Sequence, residues 1–174
     1  MPENYLVYII GFMGSGKSTA GEKLSSLLGW PFIDLDKAIE EHCRMPIPDI
    51  FSKYGELYFR TVETEVLKSI KPHTSTVISA GGGTPCHGDN MEYMLKNGLT
   101  VYLKMTPEQL KNRLLNSTDV RPLIKDLSNE ELLGFIVGKL SSREKWYEQS
   151  KIIIEAKDLN IHFLHSIIQK NLNI

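Results

Sequence analysis

The apolar residues of this chain fall into two patterns that alternate along the sequence. Short runs rich in β-branched and aromatic residues predict buried strands, and apolar positions three or four residues apart predict amphipathic helices. We expect strands over about 5–10, 31–34, 76–80, 100–105 and 152–154. We expect helices over about 17–28, 36–43, 56–69, 90–96, 107–115, 129–148 and 163–172. This alternation predicts an α/β fold with a mainly parallel sheet.

Three interruptions stand out in the helical pattern. Residues 45–48 include two prolines, and Gly55 separates the apolar face around Ile50 from the helix that follows. Residues 116–128 are mostly polar and contain Pro122, which predicts a mobile loop. Because the chain has 174 residues and no repeat, low-complexity segment or linker, we expect residues 1–174 to form one domain.

A glycine-rich motif follows the first predicted strand directly. Residues 11–18 read G-F-M-G-S-G-K-S, the phosphate-binding P-loop pattern, and a predicted helix comes next. Backbone N–H groups of such a loop and the positive end of the helix dipole attract phosphate. The lysine reaches the β- and γ-phosphates, and the serine hydroxyl is a hard oxygen ligand for Mg²⁺. The predicted ATP-binding residues here are Gly14, Ser15, Gly16, Lys17, Ser18 and Thr19.

Two carboxylates end the second predicted strand, at Asp34 and Asp36. Ligands of an open parallel sheet bind beyond the carboxyl ends of its strands, so these groups should lie beside the P-loop. A carboxylate in that position can support Mg²⁺ or orient an attacking hydroxyl, and Asp34 is our candidate for the metal. The alternative is that Asp36 caps the next helix and Asp34 is a surface turn residue.

Three consecutive glycines, Gly81, Gly82 and Gly83, end the third predicted strand. They can form a simple turn between a strand and a helix. They can also present backbone N–H groups to a ligand, which their place at the carboxyl end of a strand favours.

Three arginines are candidates for binding an anion, although a single arginine is more often a solvated surface charge. Arg121 lies in the polar loop, where a cation can arrive as the site closes during phosphoryl transfer. Arg60 and Arg143 lie on predicted helices, and spacing alone assigns them no role.

Composition narrows the possible partners. A net charge of −1 gives no basic footprint for nucleic acid or an anionic membrane. No apolar run approaches the roughly 20 residues that span a bilayer, and the first apolar run is already the first strand. Cys43 and Cys86 lack metal-site spacing and are expected to be reduced thiols. We expect a cytoplasmic protein without nucleic-acid or membrane partners, and nothing in the sequence demands a dimer, so we expect a monomer.

Taken together, the motifs resemble those of the shikimate kinase family. The P-loop occurs in many families, but its combination with four further motifs is far more specific. These are Asp34-Leu35-Asp36, Gly55-Glu56 with Phe59-Arg60 and Glu63, the glycine run, and Arg121-Pro122-Leu123, followed by Arg143 with Tyr147. The resemblance spans about residues 5–150 and weakens after Tyr147.

The resemblance implies a three-layer αβα P-loop kinase fold with five parallel strands in the order 2-3-1-4-5. It implies a helical substrate-binding segment at about 34–62 and a mobile lid at about 116–128. The implied reaction is the ATP-dependent phosphorylation of the 3-hydroxyl of shikimate, with Mg²⁺ as cofactor. Lys17, Asp36 and Arg121 would then be catalytic, and Ser18 and Asp34 would serve Mg²⁺.

The resemblance also assigns the substrates. Asp36, Arg60, Arg143 and the glycines 81–83 would bind shikimate. Arg121 would contact the ATP phosphates. Adenine would lie against a stretch near 155–159, for which no single residue aligns, and Arg113 is a plausible stacking partner.

Two other classes of function remain as alternatives. Another small-molecule P-loop kinase, acting on gluconate or a nucleoside monophosphate, would have the same fold and ATP site with different acceptor contacts. A nucleotide-dependent switch should carry an N-K-x-D guanine motif and a D-x-x-G switch, and the sequence contains neither.

Overall fold

The structure is a computed structural model that describes residues 4–71, 73–117, 124 and 126–174. Five strands form one parallel sheet: β1 (Leu6–Ile10), β2 (Phe32–Asp34), β3 (Thr76–Ser79), β4 (Leu99–Lys104) and β5 (Ile152–Glu155). The order across the sheet is β2-β3-β1-β4-β5, so the predicted fold class and strand order are confirmed.

In the part of the chain that the structure describes, every helix but the last lies in a connection between consecutive strands, as parallel pairing requires. The helices are α1 (Lys17–Leu28), α2 (Leu35–Cys43), α3 (Ile47–Ser69), α4 (Asn90–Asn97), α5 (Pro107–Leu115), α6 (Asn129–Tyr147) and α7 (Ile161–Leu172). A 3₁₀ turn, Thr84–Cys86, follows β3. Helix α1 packs against α7, α2 against α3, and α5 against α6.

The centre of the core is strand β1. Val7, Tyr8, Ile9 and Ile10 are completely buried, although neighbouring side chains point to opposite faces of the sheet. Both faces of the sheet are therefore covered, which explains why the central strands read as continuous apolar runs. None of the helices in the described residues is both long enough and apolar enough to cross a membrane.

The interruption at Gly55 is a kink within α3. Gly55 has φ 81° and ψ 173°, a backbone conformation that side chains disfavour, so the helical residues on either side form two differently directed segments. The first segment begins at Ile47, nine residues before the predicted start at 56. Proline is tolerated in the first turn of a helix, so Pro48 starts this segment where we expected an interruption.

Candidate active site

The P-loop joins β1 to α1 and opens onto the carboxyl edge of the sheet. Gly16, at the start of α1, has φ 89° and offers no side-chain cap, so the first N–H groups of the helix remain available to an anion. Lys17 Nζ donates to the Phe12 carbonyl at 3.0 Å, which holds the ammonium along the loop. A cavity of about 450 Å³ lies here, and its lining includes Lys17, Ser18 and both candidate carboxylates.

Asp34 divides its two oxygens between two tasks. Oδ1 accepts from the backbone N–H groups of Asp36 and Lys37, at 3.1 and 3.3 Å, and so caps α2. Oδ2 accepts from the Ser18 hydroxyl at 2.7 Å. The alternative that Asp36 is the cap and Asp34 a surface residue is therefore wrong. Both halves of the predicted metal pair lie together, and their hard oxygens suit Mg²⁺.

Ser79 is a polar residue of this site that sequence reasoning missed. It ends β3, and its Oγ lies 3.5 Å from the Oγ of Ser18. The signal was present, since a serine closes an otherwise apolar strand immediately before the glycine run.

Asp36 faces the same cavity from the first turn of α2. Loss of hydration within the cleft, followed by the negative charge of Asp34, raises the pKa of Asp36 to about 6, and Lys17 acts in the opposite direction. The Asp36 side chain is exposed to the cavity. The surrounding protein atoms of the cleft nevertheless displace part of the water that would hydrate its carboxylate. A carboxyl with a pKa near 6 is mostly ionised at neutral pH and is well matched to a proton on a substrate hydroxyl.

The Arg60 guanidinium is held in place by an ion pair with a buried carboxylate, that of Glu63. Its Nη1 donates to Glu63 Oε2 at 2.8 Å, and its Nη2 lies 3.4 Å from Glu56. Glu63 is only 1% exposed, and its other oxygen accepts from the Thr84 hydroxyl at 2.6 Å. The sequence did not predict this chain of contacts, because it joins a helix to a turn more than 20 residues away.

The glycine run, residues 81–83, lies against the side chains of Asp36, Arg60 and Arg143. A Cβ at Gly83 would lie 2.6 Å from Arg60 Nη2, and one at Gly81 would lie 3.0 Å from Asp36 Oδ1. A Cβ at Gly82 would lie 3.6 Å from Arg143 Nη1. The turn therefore lies against Asp36, Arg60 and Arg143, and at Gly81 and Gly83 a larger residue would crowd Asp36 and Arg60.

Arg143 reaches this turn from α6. Its guanidinium lies over the ring of Phe12, with the carbon 5.6 Å from the ring centroid, and it is half-buried. Arg60 and Arg143 thus place two cations against the glycine run, whose first two residues line the same cavity as the P-loop. Arg121, the third predicted arginine, lies outside the described residues.

A second cavity of about 560 Å³ adjoins the outer side of the P-loop. Its lining includes Gly16, Thr19, Arg113 and the residues Ala156–Leu159 between β5 and α7. Arg113 Nη1 donates to the Ser15 carbonyl at 3.3 Å, so the arginine also lies against the loop. The segment expected near adenine and the candidate stacking cation therefore line one cavity, and that cavity continues from the phosphate cradle.

Known proteins are similar to this chain in sequence and structure over almost its full length. The family model described as shikimate kinase matches residues 13–172. A shikimate kinase of Azobacteroides pseudotrichonymphae is 43% identical over 157 residues, which cover 90% of this chain and 92% of the relative.

Solved structures agree with the sequence comparisons. The crystal structure of shikimate kinase from Bacteroides thetaiotaomicron has a TM-score of 0.90 at 34% identity, covering 98% of this chain and 99% of that chain. The structure of shikimate kinase from Acinetobacter baumannii in complex with shikimate has a TM-score of 0.83 at 33% identity, covering 98% and 94%. Together with the P-loop, the paired aspartates and the arginines at the glycine turn, these comparisons show that this chain is a member of the shikimate kinase family.

Proposed function

We propose that this protein transfers the γ-phosphoryl group of ATP to the 3-hydroxyl of shikimate, giving shikimate 3-phosphate and ADP on the route to chorismate and the aromatic amino acids. One observation carries the proposal. A P-loop, a carboxylate with a raised pKa and the first two glycines of the run line one cavity, and two arginines lie against that same glycine run. A small polyol with a carboxylate needs these groups: cations for the acid and a carboxylate for the hydroxyl.

ATP would occupy the two adjoining cavities. Its phosphates would lie on residues 14–19, where backbone N–H groups and Lys17 offset their charge. The base would enter the cavity lined by Arg113 and residues 156–159, where a guanidinium can stack on a purine. Arg121 would reach the phosphates from the lid segment and offset charge that develops during transfer.

Ser18 and Asp34 are the residues that would hold Mg²⁺. The fit rests on their mutual contact of 2.7 Å, which gathers a hydroxyl and a carboxylate oxygen beside the phosphate cradle. Magnesium in kinases commonly has few protein ligands and completes its shell with water and phosphate oxygens. When bound, the ion would supply neutralising charge to the phosphates.

Shikimate would bind with its carboxylate toward Arg60 and Arg143 and its hydroxyls toward Asp36. Guanidinium groups bind carboxylates through paired N–H donors, and Arg60 is already oriented by Glu63. Glycines 81–83 would contribute backbone contacts. This orientation directs the ring from the arginines toward the P-loop.

The chemistry then needs positioning more than covalent help. A bond forms between the 3-hydroxyl oxygen and the γ-phosphorus, and the bond from that phosphorus to its bridging oxygen breaks. The hydroxyl proton leaves toward Asp36. Lys17 stays with the transferring group and offsets its charge. We further propose that the protein acts as a cytoplasmic monomer of one domain, with no nucleic-acid or membrane partner.

Release of ADP by the purified protein with ATP and Mg²⁺ tests the proposal. Shikimate, gluconate and a set of nucleoside monophosphates are supplied separately. We expect strong stimulation by shikimate alone. Stimulation by gluconate or a nucleoside monophosphate instead would show that the protein is a P-loop kinase but would refute shikimate as its acceptor.

A further inference from the structure

Tyr147 is a buried polar side chain that the proposed reaction does not use. It is the last residue of α6 and is completely buried, with its ring centroid 5.0 Å from that of Tyr102. Buried phenols usually find a hydrogen-bond partner, and what this one binds is part of the proposed acceptor site.

The Tyr147 hydroxyl donates a short hydrogen bond to the carbonyl of Gly82. Arg143 lies one helical turn earlier, at a spacing that places both side chains on the same face of α6. Burial raises the pKa of Tyr147, and the nearby Arg143 guanidinium acts against that rise. The phenol stays protonated, donates to the glycine turn and lies near the charge of Arg143.

The hydrogen bond to Gly82 fixes a peptide plane that would otherwise be free to turn. A trans peptide is planar, so fixing its carbonyl also fixes the direction of the next N–H, that of Gly83. The preceding peptide is fixed as well, since the Gly81 carbonyl accepts from the Thr84 N–H at 3.1 Å. Glycine peptides rotate more readily than others, so such ties matter most where three glycines are consecutive.

We propose that Tyr147 is a positioning residue for the acceptor: its hydroxyl holds the Gly82 peptide, beside the Arg143 guanidinium, in the arrangement that binds the substrate's carboxylate and ring. The inference rests on the proposed function, because it assumes that the glycine turn and Arg143 contact shikimate. Tyr147 would act on the substrate only through the Gly82 peptide that its hydroxyl holds.

Tyr147→Phe tests this role, since it removes one oxygen and keeps the ring. Tyr8→Phe is the matched control: Tyr8 is equally buried, in β1, but its hydroxyl has no hydrogen-bond partner among the described residues. We expect Tyr147→Phe to raise the KM for shikimate roughly three- to tenfold, the effect of losing one hydrogen bond. The KM for ATP and the affinity for ADP should not change. Tyr8→Phe should leave all three values as in the wild type.

A purely structural role for the hydroxyl would give a different result. Tyr147→Phe would then lower the midpoint of thermal unfolding and leave the KM for shikimate unchanged, and the inference would be wrong. Arg143→Ala, measured in parallel, separates this failure from failure of the proposed function. If Arg143→Ala raises the KM for shikimate and Tyr147→Phe does not, only the inference fails. If neither variant affects it, the assignment of the acceptor site fails.

Discussion

The substitution Gly83→Ala tests how closely the glycine turn is fitted to Arg60. Gly83 has φ −91° and ψ −13°, which alanine adopts without strain, so the backbone need not change. The added Cβ would lie 2.6, 2.7 and 2.9 Å from Nη2, Nη1 and the central carbon of Arg60. Ordinary contact begins near 3.4 Å, so the guanidinium must move by about 0.8 Å, the difference between 3.4 and 2.6 Å.

This displacement should affect substrate binding far more than folding. The Arg60 guanidinium is at the end of a long, flexible side chain and can move aside. That movement loosens its 2.8 Å contact with Glu63 and misplaces a donor for the substrate carboxylate. A charge-assisted hydrogen bond contributes about 1.5–3 kcal/mol, so we expect kcat/KM for shikimate to fall roughly ten- to a hundredfold. The KM for ATP should stay within about twofold of the wild-type value, because Arg60 lines neither of the two cavities proposed for ATP.

The assay is steady-state ADP release with each substrate varied in turn, together with thermal unfolding of each variant. Gly138→Ala is the control, because Gly138 is exposed within α6 and a Cβ there meets nothing within 4 Å. It should leave kinetics unchanged and stabilise the protein by about 0.5–1 kcal/mol through helix propensity. The reasoning is refuted if Gly83→Ala retains wild-type kcat/KM for shikimate while Arg60→Ala loses it.

Three further substitutions address the remaining groups. Asp36→Asn should lose most turnover and keep its affinity for ATP, and in the wild type kcat/KM for shikimate should decline as the pH falls through about 6, where this carboxyl takes up its proton. Because folding raises the pKa of Asp36, the charged carboxyl opposes folding; the variant should unfold at a higher temperature than the wild type at pH 8, with the difference shrinking toward pH 4. Asp34→Asn should raise the Mg²⁺ concentration required for half-maximal activity about tenfold or more, as measured by a metal titration at saturating substrates. Arg113→Ala should raise the KM for ATP several-fold without changing the KM for shikimate, and an equal rise in both would contradict its place in the base cavity.

Much of the fold follows from the apolar pattern. Central strands such as β1 are buried on both faces, so they appear as continuous runs, and their alternation with helices leaves a parallel sheet as the simplest arrangement. Helix α3 kinks at Gly55 because glycine accepts φ 81° there. The sequence alone marks Gly55 as a break in the helical pattern, but it does not show that the helix resumes after a kink. The start of α3 was misjudged because proline both interrupts helices and begins them.

The site was predictable only where one local motif carries it. The P-loop and the carboxylates after β2 belong to such motifs, and the structure brings them to one edge of the sheet. The support for Arg60 is different: Glu63 belongs to the motifs that carry the family resemblance, but the sequence assigns it no role, and Thr84 reads as part of a turn. Their contact depends on how α3 packs against the turn after β3. Tyr147 belongs to those motifs too, but its hydrogen bond to Gly82 was not predictable, since an aromatic residue on a helix usually packs in the core.

The most direct test of this account is the identity of the product. Phosphorus NMR of the protein with ATP, Mg²⁺ and shikimate should show one new phosphomonoester, coupled to the proton at ring position 3 and formed in step with ADP. Asp36→Asn under the same conditions should form it far more slowly. A phosphate on another hydroxyl would contradict the orientation proposed for the ring. Inorganic phosphate without any ester would contradict the central claim that this cleft transfers the phosphoryl group to shikimate.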